Sequence, residues 1–142
     1  MNSMYVNMLI DLSKKAFFND EIPVGAIVVK NGEIMGTGIN NRNKDFTVVG
    51  HAEINAIEEA CRKIGDWRLN ECELYVSLLP CMMCTGAIIE SRIKKVYYLC
   101  DRTNVCFNAG EFINIEKIDD DEKLSEYVKL LQLFFENKRN KG

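Results

Sequence analysis

The residues best suited to chemistry lie in two short segments of the chain. The first is His51-Ala52-Glu53, which contains the only histidine. The second is Pro80-Cys81-Met82-Met83-Cys84, whose two thiols are spaced so that both can reach one ion. One imidazole and two thiolates give zinc three protein ligands and leave the fourth tetrahedral position to water, as in catalytic rather than structural sites. We therefore predict a zinc site formed by His51, Cys81 and Cys84.

Glu53 follows the predicted histidine ligand by two residues, so it can lie beside the metal without binding it. Zinc lowers the pKa of a bound water to about 7, which makes hydroxide available at neutral pH. A nearby carboxylate can take the water's proton and pass protons to a ring nitrogen and to departing ammonia. The full pattern, H-x-E followed by P-C-x-x-C, is typical of zinc-dependent nucleobase deaminases. We predict hydrolytic deamination with Glu53 as the catalytic acid and base.

Two other uses of the cysteines remain open. A structural zinc ribbon would combine the Cys81–Cys84 pair with Cys100 and Cys106, although the second pair lacks the tight spacing of a zinc knuckle. A thioredoxin-like redox pair would use only the first two thiols. Both alternatives leave His51 and its neighbouring carboxylate without a role, and we consider them weaker for that reason.

Hydrophobic periodicity predicts the elements that must position these residues. Helices are expected from Met4 to Phe18, from His51 to about Lys63, from Cys81 to Glu90 and from Lys123 to about Asn137. Strands are expected at residues 24–29, 34–39, 74–78 and 96–99, with Phe112-Ile113-Asn114-Ile115 as a candidate fifth strand. Asn31-Gly32 predicts a tight hairpin between the first two strands, and residues 40–50 are expected to form a loop.

This order of elements predicts an α/β fold, a three-layer α/β/α sandwich around a central mixed five-stranded sheet. Both metal-binding segments then lie at the N-terminal ends of helices. The partial positive charge of a helix N-terminus lowers the pKa of a thiol and so favours the thiolates that zinc requires. The predicted fold and the predicted chemistry therefore support each other.

Composition excludes several broad classes of protein. With 142 residues, 47% apolar and 27% charged, the chain is predicted to form a single globular domain over residues 1–142. No apolar run approaches the roughly 20 residues of a membrane span, and the N-terminus lacks the pattern of a secretory signal. We expect a cytoplasmic protein with reduced cysteines. The net charge of −3 means that nucleic-acid binding would need a local basic patch.

Beyond the metal motif, the sequence resembles the TadA family of bacterial tRNA-specific adenosine deaminases, which has the cytidine deaminase-like fold. The resemblance covers most of the chain. Its segments are Glu21-Ile22-Pro23-Val24-Gly25-Ala26, Asn40, His51-Ala52-Glu53-Ile54, Trp67-Arg68-Leu69, Leu74-Tyr75-Val76, Pro80-Cys81-Met82-Met83-Cys84, Gly86-Ala87-Ile88, Ser91-Arg92-Ile93 and the closing Leu130-Leu131 and Phe134-Phe135.

The resemblance implies a homodimer, with one Zn²⁺ per subunit, that converts adenosine to inosine at the wobble position of a tRNA anticodon loop. By analogy, Asn40 and the backbone at Ala52 would hold the base and Pro80 would shape the pocket. The alternative for Asn40 is a simple turn former. Basic side chains available for the phosphates are Arg92, Lys94, Lys95, Lys138, Arg139 and Lys141. For any one of them alone, a solvated surface charge is the preferred interpretation.

Two other functions remain open. A zinc-dependent deaminase of a free base or nucleoside, such as guanine, cytosine or cytidine, would carry the same metal motif. A zinc-stabilised binding module without catalysis would instead surround the metal with four protein ligands.

Overall fold

The computed structural model describes residues 3–103 and 106–141, the last of these by its backbone only. In chain order the elements are α1 (Ser3–Phe18), β1 (Gly25–Lys30), β2 (Glu33–Ile39), α2 (Arg42–Asp45), α3 (Ala52–Ile64), β3 (Cys72–Leu78), α4 (Met82–Ser91), β4 (Lys95–Cys100), a 3-10 turn (Ala109–Glu111), β5 (Ile115–Lys117) and α5 (Asp121–Lys141).

The five strands form one sheet in the order β2-β1-β3-β4-β5. β1 pairs antiparallel with β2 and with β3, whereas β3 pairs parallel with β4 and β4 with β5. The predicted mixed five-stranded sheet is thus confirmed. β1 is buried along almost its whole length, which explains why its sequence is continuously apolar rather than alternating.

Helices cover both faces of this sheet. α1 packs on β1 and β3 and contacts α5, whereas α3 packs on β2 and β1 and contacts α4. The close approach of α3 depends on two glycines of β2, because a Cβ at Gly36 would lie 2.8 Å from the Ala60 nitrogen and one at Gly38 would lie 2.6 Å from the Ala56 nitrogen. The predicted α/β/α sandwich is confirmed, and the core lies between its layers.

The predicted hairpin turn is also confirmed. Asn31 and Gly32 have φ of 50° and 79°, and Lys30 pairs with Glu33 across the turn. Two consecutive positive φ values match the right-handed twist of the flanking strands, which is why Asn-Gly is favoured there.

Two sequence predictions need correction. Residues 40–50 are not wholly a loop, because they contain the short helix α2. This helix has no apolar periodicity from which it could have been predicted. The fifth strand is Ile115–Lys117 and not Phe112-Ile113-Asn114-Ile115. The strand has only three residues, one half-buried and two exposed. Three residues are too few for a hydrophobic pattern, so the pairing with β4 decides this strand.

The topology brings the starts of α3 and α4 to one edge of the sheet. Since β2 and β3 both run antiparallel to β1, they run parallel to each other. α3 follows β2 and α4 follows β3, so both helices begin near the carboxyl ends of parallel strands, the usual location of ligand sites in such sheets. No helix in the described part of the chain is long and apolar enough to span a membrane. The prediction of a single domain over residues 1–142 stays a prediction.

Candidate active site

Three metal-ligand side chains meet at this edge. His51 is the residue before α3, Cys81 is the residue before α4, and Cys84 lies one turn into α4. Their ligand atoms all lie within 4.8 Å of one another. Nδ1 of His51 is 3.6 Å from Sγ of Cys81 and 3.4 Å from Sγ of Cys84. The residues proposed from their spacing thus converge in space.

These distances fit a zinc ion. With Zn–S near 2.3 Å and Zn–N near 2.0–2.1 Å, the nitrogen–sulfur edge of a zinc tetrahedron is about 3.6 Å long. Among the described residues, the group around His51 contains only the two cysteines and no fourth ligand. Cys100 is buried and Cys106 exposed, and neither belongs to the group, so the structure gives no support to the zinc ribbon.

The two thiols are electrostatically unequal. Cys84 is fully buried, whereas Cys81 is half-buried. A hydrogen bond from Cys84 and a second from His51 hold the pKa of Cys81 well below its usual range. The same bond and burial raise the pKa of Cys84. One thiolate is therefore favoured even without a metal, and a cation at the centre would favour the second.

Glu53 lies in the first turn of α3 with its side chain only 2% exposed. Its carboxyl is close enough to the Cys84 thiol to raise the pKa of that thiol, yet it is not a member of the three-ligand group. Burial raises the pKa of Glu53, against the lowering effects of its backbone hydrogen bond, of His51 and of Arg102. A carboxyl with a raised pKa beside three metal ligands is suited to both accept and donate protons.

Asn40 joins the end of β2 to the start of α3. Its Oδ1 accepts a hydrogen bond from the Ala52 N–H at 2.8 Å, and its Nδ2 donates to the Ile22 carbonyl at 3.0 Å. The two residues predicted to hold the base thus contact each other directly. Pro80 is buried between β3 and the cysteine pair. The contacts of Asn40, Ala52 and Pro80 with a base stay predictions.

Glu21 is a residue whose position the sequence analysis did not reveal. Its side chain is 2% exposed. One carboxylate oxygen accepts from the Asn43 N–H at 3.0 Å and the other from the Lys44 N–H at 2.8 Å. A buried carboxylate with two backbone donors fixes the short helix α2 against the start of β1. Sequence contained only a weak signal, a glutamate directly before an apolar strand.

A cavity of about 310 Å³ opens in front of His51. Its other lining residues come from the segment before β1 and from the α2 region, and they are Glu21, Ile22, Asn40, Arg42, Asn43, Phe46, Thr47 and Val48. A second cavity of about 680 Å³ shares Ile22 with it and extends along α5, where Arg102 and Arg139 contribute to the lining. Among His51, Cys81, Cys84 and Glu53, only His51 lines either of these two cavities.

The predicted basic residues differ in what they contact. Lys138 pairs with Asp20 at 2.7 Å and Lys95 with Glu116 at 3.0 Å. The guanidinium of Arg92 lies over the Trp67 ring. Arg139 lines the second cavity, and the side chain of Lys141 lies outside the described residues. Arg102, which donates to the Leu79 carbonyl at 2.6 Å, is a cation near the site that the sequence analysis did not propose.

Comparisons with known proteins agree with this geometry. Residues 1–100 match the family described as the cytidine and deoxycytidylate deaminase zinc-binding region. The chain is 40% identical to the tRNA-specific adenosine deaminase of Buchnera aphidicola subsp. Schizaphis graminum, and the match covers 97% of this chain and 96% of that protein. A match to the tRNA-specific adenosine deaminase of Bacillus subtilis is 42% identical and covers 68% of this chain and 60% of that protein.

Two solved structures are similar. One, from a study of A-to-I editing by tRNA:A34 deaminases at the wobble position, has a TM-score of 0.81 and 27% identity, and the match covers 89% of this chain and 99% of that chain. The other, a guanine deaminase from Bacillus subtilis, has a TM-score of 0.69 and 35% identity, and the match covers 80% of this chain and 73% of that chain.

Proposed function

This chain belongs to the cytidine and deoxycytidylate deaminase family, and from that premise we propose that it hydrolyses adenosine to inosine at the wobble position of a tRNA anticodon loop. The observation that supports this proposal most is a buried, unligated Glu53 beside the convergent His51, Cys81 and Cys84. The relatives that match over most of the chain supply the substrate class. The donor set fits one zinc ion per subunit.

We assign His51, Cys81 and Cys84 as the zinc ligands and Glu53 as the catalytic acid and base. A zinc ion held there supplies Lewis acidity and brings the pKa of a water molecule to about 7. Glu53 accepts a proton from the water whose oxygen attacks C6 of adenine and delivers that proton to N1, so that the C6–O bond forms as the N1–C6 double bond is lost. The Glu53 carboxylate then takes the proton of the new C6 hydroxyl and delivers it to the exocyclic amino group, so that the C6 carbonyl forms as the C6–N bond breaks and ammonia leaves. Adenosine and water thus give inosine and ammonia.

Asn40, Ala52 and Pro80 are proposed to position the base. Asn40 holds the N–H of Ala52, so a change in its side chain would shift the backbone between β2 and α3. The cavity in front of His51 is open, which suits a base that is splayed out of an RNA loop more than one that must be enclosed.

The direct test is incubation with an RNA anticodon hairpin that carries adenosine at the wobble position, beside free guanine, cytosine and cytidine. We expect inosine in the RNA, detected by nuclease digestion and mass spectrometry, and no ammonia from the free compounds. Prior treatment with a zinc chelator should abolish turnover, and added zinc should restore it. Ammonia from guanine with no inosine in the RNA would contradict the proposal and favour the free-base deaminase, which the similarity to a guanine deaminase structure keeps as the second candidate.

We further propose a homodimer, as the family resemblance implies, and a cytoplasmic location, where tRNA is modified. Sedimentation at working concentration tests the first of these, and a monomer would contradict it.

A further inference from the structure

Phe46 combines a left-handed backbone conformation with an almost fully exposed aromatic ring. It ends α2 with φ of 52° and ψ of 48°, a left-handed conformation that a bulky residue rarely adopts because its Cβ crowds the backbone. Its side chain is 95% exposed, so burial of the ring does not offset the strain. Unusual backbone geometry of this kind concentrates at functional sites.

The segment that carries Phe46 is firmly held. Glu21 accepts the Asn43 and Lys44 N–H groups, and the Asn41 N–H donates to the Gly50 carbonyl at 2.9 Å. The Phe46 N–H donates to the Arg42 carbonyl. The ring is therefore presented to solvent by an anchored backbone.

Phe46 also lines the cavity that contains His51. The exposed Arg42 lines the same cavity and carries the charge that complements a phosphodiester. An exposed aromatic ring with a neighbouring cation is the combination with which proteins bind unstacked bases. The ring lies in the wall of the cavity that His51 also lines, so a base stacked on it would lie at the same cavity as this predicted zinc ligand.

We propose that Phe46 is a stacking platform for the unpaired nucleobase next to the reactive adenosine in the substrate RNA. This proposal rests on the proposed function. Phe46 contributes to substrate binding, because it holds the flanking base and thereby guides the adenosine into the cavity. Glu53 and the metal ligands carry out the deamination.

Phe46→Gly and Phe46→Ala test the proposal with the wobble-adenosine hairpin. Stacking losses of the usual size predict a KM about 5- to 150-fold higher in both variants, with kcat little changed. Phe46→Gly removes the left-handed strain, so its melting temperature should rise by about 2–6 °C. A residue with a purely structural role would give a lower melting temperature. Phe112→Ala, at another exposed aromatic residue that does not line the cavity, is the matched control and should leave KM unchanged.

A second measurement identifies the stacked base. Each nucleotide that flanks the adenosine is replaced in turn by an abasic one. One of these RNAs should raise the KM of the wild-type protein and have no additional effect on Phe46→Gly, because both changes remove the same contact. Fully additive effects for both flanking positions would overturn the proposal.

The remaining outcomes are distinct. A wild-type protein that leaves the hairpin unchanged contradicts the proposed function itself. An active wild-type protein with unchanged KM in both Phe46 variants overturns only the platform. A shift from dimer to monomer in Phe46→Gly, seen by sedimentation, would also overturn it, because the ring would then contact a second copy of the chain.

Discussion

At the scale of single residues, the site depends on environment as much as on residue type. The chain offers many carboxylates, but burial sets Glu53 and Glu21 apart. Glu53 interacts with a metal-ligand thiol, whereas Glu21 accepts two backbone N–H groups. The first is therefore suited to proton transfer and the second to holding a cavity wall.

Glu53→Gln should keep the zinc and lose turnover, because glutamine fills the same volume but cannot carry a proton between water and base. We expect a decrease of about 10²–10⁴ in the single-turnover rate, with zinc content measured by mass spectrometry unchanged. Glu58→Gln, an exposed position on the same helix, is the control. A fully active Glu53→Gln protein would refute the catalytic role.

Glu21→Gln should weaken the attachment of α2 to the segment before β1. In the variant, the amide NH₂ would face one of the two backbone N–H groups that donate to a carboxylate oxygen in the wild-type protein. Hydrogen bonds to charged groups contribute about 1.5–3 kcal/mol, and we expect a loss of this size in urea denaturation together with a raised KM. Glu71→Gln, at an exposed position far from α2 in sequence, should change neither quantity. A Glu21→Gln protein with unaltered KM would show that α2 does not shape the binding cavity.

At the scale of elements, the position of α3 on β2 controls the site. α3 begins directly after His51, and its first residues contact β2 through Gly38, where an added Cβ would lie against the Ala52 carbonyl. Overpacking at this contact would displace the start of α3. Because Cys81 directly precedes α4 and Cys84 lies in its first turn, such a displacement separates the histidine from the thiols.

Gly38→Ala should therefore destabilise the fold by about 1–3 kcal/mol and weaken zinc binding, measured by urea denaturation and by competition with a chelator. Gly86→Ala is the matched control, since no heavy atom lies within 4 Å of a Cβ there. Alanine is favoured over glycine inside a helix such as α4, so stability should stay constant or rise by up to about 1 kcal/mol. Equal effects of the two substitutions would contradict the role given to the β2–α3 contact.

At the scale of the whole molecule, α5 connects the end of the chain to the segment before β1. Tyr127 is fully buried, and its hydroxyl donates to the Pro23 carbonyl at 2.6 Å across 104 residues of sequence. Burial raises the pKa of Tyr127, so the hydroxyl keeps its proton and remains a donor. This bond fixes Pro23, which directly follows Ile22 in the chain. Ile22 lines both the cavity in front of His51 and the cavity along α5.

Tyr127→Phe should lower the free energy of unfolding by about 1–3 kcal/mol, because a buried carbonyl loses its donor. Tyr98→Phe removes an exposed bond of similar type, from its hydroxyl to Asp101 at 2.9 Å, and should cost clearly less. Chemical denaturation measures both. Equal losses would show that the Tyr127 bond does not depend on burial for its strength.

Sequence alone determined the chemistry and the type of fold. A single histidine and a closely spaced thiol pair restricted the metal site to His51, Cys81 and Cys84, and periodicity predicted the main helices and the first four strands. These features are local. Each depends on only a few consecutive residues, as do the spacing of the thiols within a helix turn, the Asn-Gly hairpin and the amphipathic faces of the helices. The fifth strand was predicted too early in the chain and α2 was missed, because three or four residues are too few to show a hydrophobic period.

Tertiary structure alone decided how distant segments meet. β2 and β3 flank β1, and this order places the starts of α3 and α4 at the same edge and sets the 3.4–3.6 Å distances between imidazole and thiols. It also buries Glu21 under α2, directs the Asn40 amide to Ala52 and leaves Phe46 strained and exposed beside His51. The physical reason is that strand order, burial and strain depend on contacts between residues far apart in the chain, which no local pattern encodes.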